Sequence, residues 1–446
     1  MSKTNIPEGW RLATLGEVAE NDKWRKCKLG DILVFHYGKS LLEHKRVKGN
    51  YPVYGSAGLI GWHNEPLINS KGLIIGRKGT IGKVYKSCSP FFPIDTTYYV
   101  LPDDEKYDFT FMFYMFCNME IDKLNGDSAV PGLNRNTAYA QDVILPSLTE
   151  QQAIAAVLSS LDDKIELLRE QNKTLEAIAQ AIFKRWFVDF EFPVMEPKNS
   201  PPFKEGSWEL KGYKSSGGKM VESELGEIPE GWELSRVSEI IEFIKGVEPG
   251  SKNYYKEKTS DDFLPFYRVQ DISEYVKIPN IFVKKELLGS KIFKVNDILI
   301  SLDGTIGKVF VGGSGGFSSG IRKAVGKKEF ISKPFILFLL KSEYFQESLL
   351  LFSGSGTTIQ HAGKAVENIL FTYDKGICEK FEITSGYIFK KIISNISQIQ
   401  TLSALRDSLL PKLMVGTIRV PVESGANTTP AAEGCHPSLK RRGVGG

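Results

Sequence analysis

Residues 149–192 read TEQQAIAAVLSSLDDKIELLREQNKTLEAIAQAIFKRWFVDFEF. Apolar side chains recur at Leu158, Leu161, Ile165, Leu168, Leu175, Ala179, Ile182 and Trp186, and Asn172 sits in the same series. The steps alternate between three and four, which is a heptad seam sustained for about four heptads. The residues between, such as Asp163-Lys164 and Arg169-Glu170-Gln171, are polar helix formers. Thr149-Glu150-Gln151-Gln152 opens the stretch with a capping-box pattern, and Phe192-Pro193 closes it. At about 1.5 Å per residue the helix is roughly 60 Å long. So narrow a stripe on so long a helix calls for a partner helix rather than an ordinary globular core.

The partner lies later in the same chain. Ile388, Ile392, Asn395, Ile399, Leu402, Leu409 and Leu413 repeat the seam at an offset of 227. Ile6-Pro7-Glu8-Gly9-Trp10 recurs as Ile228-Pro229-Glu230-Gly231-Trp232, and Gly79-Thr80-Ile81-Gly82-Lys83-Val84 as Gly304-Thr305-Ile306-Gly307-Lys308-Val309. Three landmarks in one order at nearly one offset define a tandem duplication. The order is module, helix, module, helix. The modules read as mixed α/β. Short apolar runs (Ile32–Phe35, Leu73–Ile75, Thr97–Val100, Phe266–Val269) precede helix-like segments at Phe109–Met119 and Pro334–Leu351. Residues 193–227, rich in Pro, Gly, Ser and Lys, read as a linker. Residues 421–446 carry no period and read as a disordered tail.

The totals limit the function. The chain has 446 residues, 41% of them hydrophobic, and a net charge of +4, which permits nucleic-acid binding without demanding it. Five scattered cysteines lack the spacing of a zinc site or a disulfide framework. There is neither an apolar leader nor an apolar run of membrane-spanning length. The expectation is a soluble, cytoplasmic protein with no metal site and no cofactor.

Two copies related by a pseudo-twofold axis would place the helices antiparallel, each seam covering the other. Asn172 and Asn395 would then fix the register of the spacer at some cost in stability. Two similar heads on a rigid spacer suit a split site on double-stranded DNA, whose equivalent surfaces recur about every 34 Å. The heads differ beside their shared turn, with Gly76-Arg77-Lys78 in one and Ser301-Leu302-Asp303 in the other. Candidate DNA contacts in head one are Lys39, Lys45, Arg46, Lys48, Arg77, Lys78, Lys83 and Arg135. In head two they are Lys252, Lys256, Lys258, Arg268, Lys308, Arg322 and Lys323. Lys and Arg neutralise phosphates, and Arg also grips guanine edges bidentately.

Catalytic readings fare worse. Gly76–Lys83 has five residues between its outer glycines and Val84 where a phosphate loop needs Ser or Thr. Phe352-Ser353-Gly354-Ser355-Gly356-Thr357 and Ser200-Pro201-Pro202-Phe203 look like the adenosylmethionine loop and catalytic tetrapeptide of adenine-N6 DNA methyltransferases, the alternative function. The second lies in the linker, however, and the first precedes a poor helix start. A nuclease-like set, Asp31 with Glu43-His44-Lys45, has no full counterpart in head two. No catalytic residue is assigned.

These residues together resemble the specificity subunit of type I restriction-modification systems. The resemblance rests on the two Pro-Glu-Gly-Trp and two Gly-Thr-Ile-Gly-Lys-Val motifs, and on Glu150-Gln151-Gln152-Ala153-Ile154. It rests also on residues 129–134, 213–226 and 356–361, and on Leu405–Met414. It implies an α+β fold, a pseudo-twofold tandem duplication. Two similar mixed α/β target-recognition domains (1–148 and 228–375) would be separated by two long antiparallel coiled-coil helices (149–192 and 376–420). It implies a non-catalytic subunit reading a bipartite DNA target. It also implies docking of two modification (methyltransferase) subunits, joined by restriction subunits that form an ATP-dependent nuclease. Helix two begins Gly376-Ile377-Cys378-Glu379, without the Glu-Gln-Gln start, so the two docking surfaces need not be alike.

Overall fold

The computed structural model describes residues 10–12, 24–124, 132–197, 208–272, 278–353 and 360–421. The chain divides into two compact units, the first of them discontinuous in sequence. Unit one joins Met1–Leu167 to Thr401–Gly446, and unit two is Leu168–Gln400. The tail expected at 421–446 lies, but for its first residue, outside the described residues.

In unit one, head one is built on two small sheets. One has the strand order His36–Tyr37, Thr97–Val100, Gly72–Gly76, Val84–Ser87; the other is Gly58–His63, Tyr51–Gly55, Phe92–Pro93. Leu73, Ile74 and Ile75 are wholly buried, as a continuous apolar run with both faces covered should be. The expected helix forms at Phe109–Asn118, capped by Asp108, whose Oδ1 accepts the Phe111 N–H at 2.7 Å. The expected strand at Ile32–Phe35 does not form. Leu29–Ile32 is a helical turn, and Leu29, Ile32, Leu33 and Phe35 drop into the core.

Head two, in unit two, repeats this plan. Its sheets run Ile241–Lys245, Ile321–Gly326, Ile298–Ser301, Val309–Phe310, and Phe282–Lys284, Phe263–Tyr267, Gly315–Phe317, Ile292–Phe293. The repeat extends to single hydrogen bonds. The Gly76 N–H donates to Lys83 O at 2.8 Å, and the Ser301 N–H to Lys308 O at 2.9 Å. Gly82 donates to Gly76 O at 3.0 Å, and Gly307 to Ser301 O at 2.8 Å. The glycines of the turn take φ of 76° and 71° in head one and 78° and 80° in head two. At Gly82 the approach is also close, because a Cβ there would sit 2.5 Å from the Asp122 nitrogen. The helix expected at Pro334–Leu351 is two helices, Lys333–Lys341 and Glu343–Ser353. Ser342 divides them: its Oγ donates to Leu339 O at 2.7 Å and accepts the Phe345 N–H at 3.2 Å.

The two long helices are continuous, Leu148–Phe187 and Lys375–Met414, 40 residues each. They run antiparallel within each unit. In unit one Arg406 ion-pairs with Asp162, which also accepts the Tyr114 hydroxyl at 2.7 Å. In unit two Asn395 meets Asn172, and further on Phe183 packs on Phe381. The cap differs from the expected box, since Ser147 Oγ accepts the Glu150 N–H at 3.4 Å. The buried band is also wider than the seam. Ile154 and Ala155 join the core of unit one, and Phe183 and Phe187 that of unit two. Each end of the helix is therefore part of a globular core.

Residues 193–227, read as a linker, hold two β-hairpins. Pro193–Pro197 pairs with Trp208–Gly212, and Met220–Ser223 with Gly226–Pro229. Phe192 anchors them, stacking on Tyr213 at 4.6 Å and on Trp232 at 5.4 Å. Trp232 is the tryptophan of the second Pro-Glu-Gly-Trp, and it also packs on Phe187 and Phe190. Cys27 and Cys378 are free thiols, and Cys88 is disulfide-bonded. No helix among the described residues is long and apolar enough to cross a membrane.

Candidate nucleic-acid interface

Head one carries an open cavity of about 470 Å³ beside its Gly-Thr-Ile-Gly turn. Tyr37, Arg77, Tyr98, Asn134, Arg135 and Asn136 line it. Three local features bring them together. Tyr37 ends a two-residue strand paired with Tyr98. Arg77 follows the buried strand Gly72–Gly76, and its N–H donates to Thr96 O at 2.9 Å. Arg135 opens a short helix capped by Asn134, whose Oδ1 accepts the Asn136 N–H at 2.8 Å.

The site is cationic and aromatic. The Arg77 guanidinium carbon lies 5.2 Å from the Tyr37 ring centroid and 5.7 Å from that of Tyr98. That of Arg135 lies 5.3 Å from the same Tyr37 ring and 5.9 Å from Tyr139. Such contacts hold a guanidinium plane in place. Arg77 Nη2 donates to Asp95 O at 2.7 Å, while its Nε is buried with no partner among the described residues. Burial first, and then the neighbouring Tyr37 hydroxyl, push the Tyr98 phenol up to about 12. Tyr98 is therefore protonated at neutral pH and donates to Leu133 O at 3.2 Å. Tyr37 remains half-exposed, its ring open to a ligand.

Of the expected contacts in head one, the structure gathers Arg77 and Arg135, with Lys78 exposed beside them. Lys39 is exposed two residues beyond Tyr37, and Lys83 is half-buried at the end of the glycine turn. Lys45 and Lys48 are exposed around the turn Glu43–Lys45. Arg46, between them, turns inward to donate to Ile60 O at 2.9 Å.

In head two, Lys252, Lys256 and Lys258 lie on an exposed loop, Lys258 paired with Asp261 at 2.8 Å. Of the other four, Arg268, Arg322 and Lys323 have their side chains tied to their own head, while Lys308 is held there by its backbone. Arg268 donates to Asp271 at 3.1 Å, and the Lys308 N–H to Ser301 Oγ at 3.0 Å. Arg322 pairs with Asp303 at 3.2 Å, and Lys323 donates to Ile292 O at 3.1 Å. On the helices of unit two, Asn395 Nδ2 donates to Asn172 Oδ1 at 2.9 Å and Asn172 Nδ2 to Ile392 O at 3.5 Å. In the cavity, Tyr37, Tyr98, Asn134 and Asn136 were not foreseen. A search for Lys and Arg passes over the neutral groups that hold an arginine in place.

The description "Type I restriction modification DNA specificity domain" fits this sequence twice, over residues 21–177 and 229–372, one match to each head. Among curated relatives, the MjaIX specificity subunit of Methanocaldococcus jannaschii is 29% identical over 332 residues, 70% of this chain and 69% of that one. The HindI specificity subunit of Haemophilus influenzae is 28% identical over 331 residues, 65% and 71% of the two chains. Among solved structures, the type I S subunit from M. genitalium superposes with a TM-score of 0.53 at 17% identity, covering 88% of this chain and 97% of that one, which establishes a common fold.

Proposed function

The chain belongs to the type I restriction-modification DNA specificity family, and we propose that it reads a bipartite duplex site, one half with each head. The two long helices set the gap between the halves. They also offer surfaces to two modification (methyltransferase) subunits, with restriction subunits joining that core. The chain itself is the non-catalytic, cytoplasmic member. One observation carries the reading. The heads repeat the same hydrogen bonds around the glycine turn, while the side chains beside it change from Arg77-Lys78 to Leu302-Asp303. A frame kept constant with altered contact residues is what two readers of different sequences require.

The residues that suggested an adenine methyltransferase, Ser200–Phe203 and most of the Phe352–Thr357 loop, lie outside the described residues. Incubation of the purified chain with labelled adenosylmethionine and DNA separates the two functions. No label should transfer until modification subunits are added, and transfer by the chain alone would overturn the assignment. The same preparation tests DNA contact. Six to ten phosphate contacts would lower affinity by roughly a thousandfold or more between 50 and 200 mM salt. A protein-only scaffold would show weak binding, insensitive to salt.

A further inference from the structure

The repeated backbone allows the cavity of head one to be matched residue by residue in head two. Tyr37 lies opposite Tyr98, and Lys245 opposite Arg322. Tyr98 in turn lies opposite Ile75, and Arg322 opposite Ile300. The Leu133 N–H donates to Arg77 O at 2.9 Å, and the Ala362 N–H to Leu302 O at 2.7 Å. Lys78 bridges to Gly132 where Asp303 pairs with His361. Two residues after Leu133 and Ala362 come Arg135 and Lys364. On one backbone frame, Tyr37, Arg77, Lys78, Tyr98 and Arg135 of head one therefore become Lys245, Leu302, Asp303, Arg322 and Lys364.

The chemistry of the two positions is opposed. In head one, two guanidinium groups share the Tyr37 ring, and among the described residues no carboxylate lines the cavity. Like charges gathered in this way are relieved by a ligand rich in acceptors. Both phosphates and guanine edges qualify. Arg77, however, is held by Asp95 O and by two rings, which fixes the plane of its fork. A fixed planar fork suits a planar pair of acceptors, whereas a flexible lysine serves a phosphate as well. In head two the corresponding guanidinium, Arg322, is spent on Asp303 and on the carbonyls of Ser319 and Ile321.

From this geometry we infer that Arg77 and Arg135 of head one read a guanine through its O6 and N7 edge. Head two, with Leu302 in the place of Arg77, does not read guanine at the matching position. The inference rests on the DNA-reading function proposed above. Its test uses the full chain with its modification subunits and maps methylated sites at single-base resolution. Arg77→Leu and Arg135→Ala should each lower discrimination at one guanine of one half-site by about five- to a hundredfold, leaving the other half-site unchanged. Arg77→Lys, which keeps the charge and the fold but not the fork, should do the same. In binding assays 7-deazaguanine at that position, which lacks the N7 acceptor, should weaken the wild-type complex more than it weakens Arg77→Leu, which keeps only Arg135. Loss spread evenly over all sequences, with a shallower salt dependence, would make Arg77 a phosphate contact and overturn the inference. So would relaxation at a base other than guanine, or unchanged discrimination in all three variants. A wild-type complex without sequence preference would instead remove the proposed function itself.

Discussion

Glycines 38 and 246 have no side chain, and each lies where backbone leaves no room for one. A Cβ on Gly38 would lie 2.1 Å from Ile94 O, and one on Gly246 would lie 2.2 Å from Ser318 O. Backbone, not a yielding side chain, blocks the space. Gly38→Ala should cost about 1–3 kcal/mol or somewhat more and displace Tyr37, the preceding residue. Thermal unfolding should show the loss, and methylation mapping should show weaker recognition of one half-site alone. Glu150 is a different case. It is buried, accepts the Trp24 indole N–H at 3.0 Å, and forms an ion pair with Arg419. Removal of one partner strands the other, so Glu150→Ala should destabilise by about 3–5 kcal/mol. The double variant Glu150→Leu, Arg419→Leu should recover much of that in denaturant titration, because neither charge is then buried alone. From the sequence, Glu150 reads as part of a helix start. Its partner lies 269 residues away, and no local spacing points to it. Arg77 stands out in the sequence only as a cation. Its composition is local, but the rings that hold it come from two other strands.

Among the elements, the long helices were the most legible, because a heptad period writes itself directly into sequence. Their width was not. Phe183 and Phe187 fall off the seam and pack on Phe335 and Phe371, residues whose place depends on the folding of head two. The hairpins of residues 193–227 escaped for a related reason: Pro, Gly and Ser read as a loop until Tyr213 and Trp232 are seen to cover Phe192. The Asn172–Asn395 contact belongs at this scale too. Asn395 is wholly buried, and its Oδ1 has no partner among the described residues, so the pair costs stability; the register role proposed for it would offset that cost in specificity. Asn172→Leu with Asn395→Leu should raise the melting temperature. If the pair sets register, the same double variant should also tolerate a broader range of gaps between half-sites in methylation mapping. A single Asn395→Ala should lower the melting temperature instead, since it removes the 2.9 Å bond to Asn172 and leaves a hole.

At the scale of the whole molecule, the duplication could be read from three short landmarks because a repeat needs only order and offset, not contacts. What it is for depends on the proposed spacer, and that proposal is quantitative. Each long helix contributes residues to both units. One heptad adds about 10 Å of helix at 1.5 Å per residue. Base pairs stack at about 3.4 Å, so seven residues inserted in phase into both helices should lengthen the unread gap by about three base pairs. The half-sites themselves should keep their sequences, because no residue of either head is touched. Insertion into only one helix should fail differently: the two strands of the pair would no longer match in length, and recognition of the full site should fall without any new gap appearing. Methylation mapping of the three complexes, wild type, single insertion and double insertion, distinguishes these outcomes. An unchanged gap in the double insertion, with full activity retained, would mean that something other than the helices sets the distance between the half-sites.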